Sequence, residues 1–134
     1  MSGTVKQYLL DTNILIYYFN GEAVVQPLID SIRMGQSLGF YCPLTWIELL
    51  CYPALSFAEA EQIQQFLRLL TSVELTEVVL DRAAFIRRDY RTPLPDALIA
   101  ACALESSCIL ITRNVSDFSQ ISQLTVQNPF SASP

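Results

Sequence analysis

Tyr8-Leu9-Leu10-Asp11-Thr12-Asn13-Ile14-Leu15-Ile16 passes from an apolar run through a polar turn and back into an apolar run. The segment from Val5 to Leu10 is short and increasingly apolar, the pattern of a strand buried on both faces, and a helical stretch from Ile14 to Phe19 follows the turn. A strand that meets a helix through a polar turn is the unit of a parallel sheet, because parallel neighbours need crossover connections and those are usually helices.

Working outward, the same alternation recurs. Gly21 breaks the first helix, and Val25, Leu28, Ile29 and Ile32 then fall at the spacing of an amphipathic helix that stops near Gly35. Leu38 to Leu44 reads as a second strand, and Thr45-Trp46-Ile47-Glu48 opens a helix that Pro53 closes. Ser56-Phe57-Ala58-Glu59 has the spacing of a capping box, and the helix it starts carries Ile63, Phe66, Leu67 and Leu70 on one face. Val73 to Leu80 mixes β-branched residues with acids in near alternation, which predicts an edge strand, and Asp81 is placed to cap a helix through Arg91 that Pro93 and Pro95 end. The run Ala97 to Leu104 is apolar all round and predicts a buried helix; Cys108 to Thr112 predicts a strand, and Leu124 to Val126 another.

These elements make one α/β domain over residues 1–128, with helices on both faces of a parallel sheet and a frayed tail over 129–134. Ligands in such sheets bind at the carboxyl ends of the strands.

The chain has 134 residues, 51% hydrophobic and only 16% charged, against roughly 25% charged in an average soluble domain. That composition supports a packed core and excludes disorder. It has no histidine, which excludes Ser-His-Asp triads, Cys-His pairs and paired-histidine ribonuclease chemistry, and its only lysine is Lys6. The net charge of −5 is a poor electrostatic match for nucleic acid unless bound cations reverse the sign locally. Cys42, Cys51, Cys102 and Cys108 form no CxxC pair and read as buried reduced thiols. No stretch resembles a signal peptide or a bilayer span, so a cytoplasmic protein without a membrane partner is expected.

Four acids fall at strand-to-helix transitions: Asp11, Glu48, Asp96 and Asp117. In a parallel sheet those transitions share one edge, and converging carboxylates without lysine or histidine partners call for a hard divalent cation in an all-oxygen shell, Mg²⁺ or Mn²⁺. Each acid also has a purely structural reading. Asp11 can cap a helix, Thr45-x-x-Glu48 matches a capping box, Asp96 precedes an apolar run as an N-cap would, and Asp117 starts a polar turn.

The residues resemble a known family. Tyr8 to Ile16 is similar to the opening motif of PIN-domain nucleases, Thr45-Trp46-Ile47-Glu48-Leu49 to their second acidic motif, Leu94-Pro95-Asp96-Ala97-Leu98-Ile99-Ala100-Ala101 to the third, and Ile111-Thr112-Arg113-Asn114-Val115-Ser116-Asp117-Phe118 to the fourth. The closest subgroup is the VapC-like toxins of prokaryotic toxin-antitoxin pairs. The resemblance implies a three-layer domain with a five-stranded parallel sheet and a metal-dependent endoribonuclease leaving a 5′-phosphate and a 3′-hydroxyl. It implies a homodimer and a small VapB-like antitoxin that directs an arginine into the acidic site. Asp11, Glu48 and Asp96 carry over as catalytic, metal-binding residues, and Asp117 is taken as the fourth, with Asn114 open as the alternative. Thr12, Asn13, Thr112 and Asn114 match polar positions that orient the carboxylates.

Arg82, Arg87, Arg88 and Arg91 make the one locally basic segment, and Arg87 and Arg91 share a helix face; with Arg113 these two are candidate RNA contacts. Tyr17, Tyr18 and Trp46 flank the first two motifs, where base stacking competes with core packing. The alternative function is a PIN-fold protein-binding module with weak or no activity. A haloacid-dehalogenase phosphatase is disfavoured, because Asn13 stands where its nucleophile loop needs a second aspartate and Lys6 precedes the strand.

Overall fold

The computed structural model describes residues 5–131. Residues 1–4 of the expected domain and 132–134 of the expected tail lie outside that range. The chain begins with β1 (Lys6–Leu10), α1 (Thr12–Phe19), a 3₁₀ turn (Ala23–Val25), α2 (Gln26–Arg33), β2 (Ser37–Tyr41), α3 (Pro43–Leu50) and α4 (Phe57–Leu67). It continues with β3 (Thr71–Ser72), α5 (Glu77–Tyr90), α6 (Leu94–Glu105), β4 (Ile109–Ile111), a second 3₁₀ turn (Val115–Asp117) and β5 (Val126–Gln127). All strand pairs are parallel, in the order β3-β2-β1-β4-β5.

Side chains alternate across this sheet with period two. Leu9 and Leu110 face a core built with α5 and α6, including Val79, Ala83, Ile86 and Ala97 through Ala103 except Leu98, which packs at its margin. Leu10 and Ile111 face the opposite core, formed with Ile14, Leu15, Ile29, Leu49, Ile63, Phe66 and Leu67 from α1 to α4. The result is the expected three-layer arrangement with a doubly covered sheet. Gly39 on β2 permits the second core to close, since a β-carbon there would stand 2.7 Å from Leu70 Cδ2 and 3.0 Å from Ile32 Cδ1.

The chain winds outward from β1 to β2 and β3, then returns through α5 and α6 to place β4 on the other side of β1. Strand order therefore reverses between β1 and β4, and the crevice outside their carboxyl ends is the natural place for a ligand. Asp11 leaves β1 at that point, its N–H still donating to the Ile111 carbonyl at 2.9 Å.

Several boundaries differ from the sequence expectation. The second strand stops at Tyr41, because Pro43 has no N–H for the ladder and instead occupies the first turn of α3. The edge strand expected over Val73 to Leu80 is replaced by the short β3 at Thr71–Ser72, and Glu77 already starts α5. Thr76 caps that helix, accepting from the Val79 N–H at 3.3 Å, so Asp81 lies inside the helix and is not its cap. Burial of Val79, Ala83 and Ile86 at helical spacing outweighs the β-branched alternation. The helix ends at Tyr90 with Arg91 left-handed at φ 56°, and Pro95 opens α6 where it was expected to end α5. The fifth strand is Val126–Gln127, shifted from Leu124 to Val126. Phe130, in the stretch expected to fray, packs against Tyr17 with ring centroids 4.8 Å apart. Among the described residues no helix is long and apolar enough to cross a membrane.

Candidate active site

Asp11 follows β1 and caps α1. One carboxylate oxygen accepts from the Thr12 N–H at 2.8 Å and the other from the Thr112 hydroxyl at 2.7 Å. The side chain is buried, and burial raises its pKa, opposed by these two hydrogen bonds and reinforced by the charges of Glu48 and Asp117. Thr112, at the end of β4, also accepts from the Asn114 N–H at 3.0 Å, so its hydroxyl ties the β4 loop to the β1 carboxylate.

Glu48 is oriented by a hydroxyl relay. Thr12 donates to Glu48 Oε1 at 2.6 Å, and the Thr12 and Thr45 oxygens are 2.9 Å apart. A hydroxyl has one proton to give, so Thr45 must be the donor in the second contact. Thr45 is fully buried. It was not expected among the polar residues orienting the site, although its place three residues before Glu48 on one helix put both on the same face. Its capping-box reading does not hold, since Cys42 is the cap of α3 and Thr45 lies within the helix.

Asp96 lies in the first turn of α6, whose N-cap is Pro93, so its N-cap reading is replaced by one in which its carboxylate faces the other acids. Among the described residues nothing donates a hydrogen bond to it. Burial, followed by the charges of Asp11, Asp117 and Glu48, pushes its pKa up to about 6. Asp117 is exposed on the second 3₁₀ turn, its N–H donating to the Asn114 carbonyl at 3.0 Å, and its charge acts on both Asp11 and Asp96. Asn114 is exposed and contributes main-chain bonds. Asn13 keeps a buried amide oxygen with no partner among the described residues. Asp11 and Asp96 thus both lie within reach of the Glu48 and Asp117 charges, and Asp96 within reach of that of Asp11.

The described ion pairs are Arg82–Glu105 at 2.8 Å and Arg88–Asp89 at 3.4 Å, so none of the four carboxylates has a basic partner among the described residues. No three Asp, Glu or Cys side chains among the described residues are already gathered at the spacing of a closed coordination shell. The donor set itself is hard oxygen throughout, and no described basic group compensates its mutual repulsion. These features suit Mg²⁺ or Mn²⁺.

The expected basic segment divides. Arg82 is spent on Glu105, and Arg87 Nη1 donates to the Thr92 carbonyl at 3.1 Å, bracing the turn that leads to Asp96. Arg91 is exposed, and Arg88 lies over Phe85 at 5.5 Å. Arg113 is exposed beside the β4 loop. Tyr18 packs between Phe19 and Phe66 and accepts from Arg33 Nη2 at 2.8 Å, and Trp46 lies under Arg68 at 6.0 Å, so these rings serve packing. All four cysteines are free. Cys51 is exposed, at the open end of α3, and so departs from the expectation of burial.

A family model described as the PIN domain matches residues 8–124, spanning all four acidic motifs. No curated protein matches the chain in sequence. Among solved structures, a toxin-antitoxin complex from Klebsiella pneumoniae is 27% identical over 92% of this chain and 98% of that chain, with a TM-score of 0.78. VapBC-1 from nontypeable Haemophilus influenzae is 25% identical over 93% of this chain and 99% of that one, at 0.72. VapBC2 from Rickettsia felis, solved with a promoter DNA fragment, is 20% identical over 91% and 98%, at 0.74, a likeness of fold alone.

Proposed function

The chain belongs to the PIN-domain family, and on that premise we propose that it is a metal-dependent endoribonuclease of the VapC kind. The observation that carries the reading is the convergence of Asp11, Glu48, Asp96 and Asp117 at the β1/β4 switch point with no cation among the described residues paired to them.

Asp11 and Asp96 are the residues that would hold Mg²⁺ or Mn²⁺ directly, with Glu48 and Asp117 completing the shell through water or around a second ion. A bound ion of this kind lowers the pKa of water and neutralises charge on phosphoryl oxygens, which is the work an imidazole would otherwise do. The chain's own residues set the geometry. Thr112 and the Thr12 amide fix the Asp11 carboxylate and oppose the rise in pKa that its burial causes. The Thr45–Thr12 relay fixes Glu48. Asp117 is exposed, so a substrate strand could reach it.

The same reading brings partners. A VapB-like antitoxin and a second copy of the chain would cover apolar surface that the fold leaves open, including Ile47 (60% exposed), Tyr52 (55%) and Phe57 (83%). An antitoxin arginine entering the acidic edge would supply a cation that no described residue places there. The decisive test is cleavage of single-stranded RNA by purified protein. Cleavage in Mg²⁺ or Mn²⁺ that stops in EDTA and in Asp96→Asn is expected; binding to protein partners without cleavage would favour the protein-binding module instead.

A further inference from the structure

We propose that Arg113, held in an aromatic cradle made by Tyr17 of α1 and Phe130 of the C-terminal segment, is a preformed phosphate-positioning fork for the RNA strand at the acidic edge. This rests on the nuclease reading above. The Arg113 guanidinium carbon lies 4.2 Å from the Phe130 ring centroid and 5.1 Å from that of Tyr17. The two rings are themselves in contact, 4.8 Å apart at an interplanar angle of 60°.

Two features make the cradle more than packing. The first is its place. Arg113 lies between Thr112, which donates to Asp11, and Asn114, whose N–H returns to Thr112, so its backbone is fixed by the bonds that fix the catalytic carboxylate. The second is what the guanidinium leaves unspent. Aromatic faces hold a guanidinium through its flat sides, and its in-plane N–H donors stay free for a bidentate acceptor. Arg113 makes no described ion pair or hydrogen bond, whereas Arg82 and Arg88 have carboxylates and Arg87 a carbonyl. A phosphate diester matches that fork in charge and shape. The cradle also gives the segment after β5 a task, because Phe130 is oriented by its own N–H donating to Asn128 Oδ1 at 2.9 Å.

Phe130 is thus a positioning residue acting through Arg113, and the test must separate that from a structural role. A labelled single-stranded RNA is titrated against the protein in EDTA over a range of salt, and cleavage is measured separately in Mg²⁺. Arg113→Ala is expected to weaken binding about tenfold, the lower end for a hydrogen bond to a charged group. It should also reduce the magnitude of the salt slope by about 0.7, the share of one phosphate on a single strand. Phe130→Ala should weaken binding about threefold, the scale of an exposed cation–π contact. In the Arg113→Ala background it should add nothing, and Phe130→Tyr should restore binding where Phe130→Leu, which keeps the apolar bulk, does not. Additive losses from Arg113→Ala and Phe130→Ala, full binding by Phe130→Leu, an unchanged salt slope, or no RNA binding by the wild type would each overturn the cradle. If the wild type binds through the cradle but does not cleave in Mg²⁺, the nuclease reading fails while the cradle stands.

Discussion

Asp96 concentrates the electrostatic conflict of the site. Its folded pKa of about 6 lies above the ordinary 3.8, so between those values the native state binds more protons than the unfolded one and stability falls as pH rises through that window. The metal-free protein is therefore expected to melt higher at pH 5 than at pH 7. Solvent screening of a half-buried group holds the gain to about 1 kcal/mol, or about 4 °C for a chain of this size. Asp96→Asn should flatten that dependence, melt at or above the wild-type temperature and lose cleavage; an unchanged pH dependence of melting would show that Asp96 is not the group that titrates in this window. Thr112→Val tests the opposite arm. It removes the donor to Asp11 and leaves the Asn114 N–H without its acceptor, so a loss of about 1–3 kcal/mol is expected. The acidic limb of the cleavage profile should move to higher pH, because the Asp11 pKa loses a lowering contact. Asp117→Ala should reduce cleavage more than Asn114→Ala, since the charge at 117 reaches both Asp11 and Asp96. At this scale the sequence revealed the acids and the hydroxyls at 12 and 112. It concealed Thr45, because a threonine inside an apolar helix carries no mark of the hydroxyl it meets across the sheet edge.

The helix announced by a local cap was legible from its spacing, and the start of α5, set by tertiary burial, was not. Ser56 and Glu59 form the reciprocal cap read from their spacing, with the Glu59 N–H 3.0 Å from Ser56 Oγ and the Ser56 N–H 2.9 Å from Glu59 Oε1. Ser56→Ala should cost about 1 kcal/mol in thermal or denaturant melts. The start of α5 was hidden because its first turn, Glu77-Val78-Val79-Leu80, satisfies a strand pattern locally, and packing against α6 decides the matter. The turn between those helices shows the same limit for function. Arg87 and Arg91 share a face in sequence, yet the Arg87 guanidinium is bonded to the Thr92 carbonyl. Arg87→Ala should therefore lower the melting temperature, by about 1 kcal/mol of stability, and leave the salt slope of RNA binding unchanged. A reduced slope would return Arg87 to the RNA-binding surface.

For the whole molecule, alternation of strands and helices was sufficient to specify a parallel sheet covered on both faces, and the order β3-β2-β1-β4-β5 adds the reason why residues as distant as Asp11 and Thr112 meet. Spacing alone could not supply that convergence, because which strand adjoins β1 is settled by the crossover through α5 and α6. The exposed apolar side chains are the surface that the proposed assembly would cover. Light scattering at micromolar concentration is expected to give twice the monomer mass; a clean monomer would refute the proposed homodimer. The central claim is that the four carboxylates form one metal-dependent hydrolytic centre. Its most direct measurement is the Mn²⁺-dependent cleavage of end-labelled single-stranded RNA by the purified wild type, Asp11→Asn and Asp96→Asn side by side, with folding checked by melting. The account predicts cleavage by the wild type, suppressed by EDTA, and none by either folded variant; wild-type rates from both variants would contradict it.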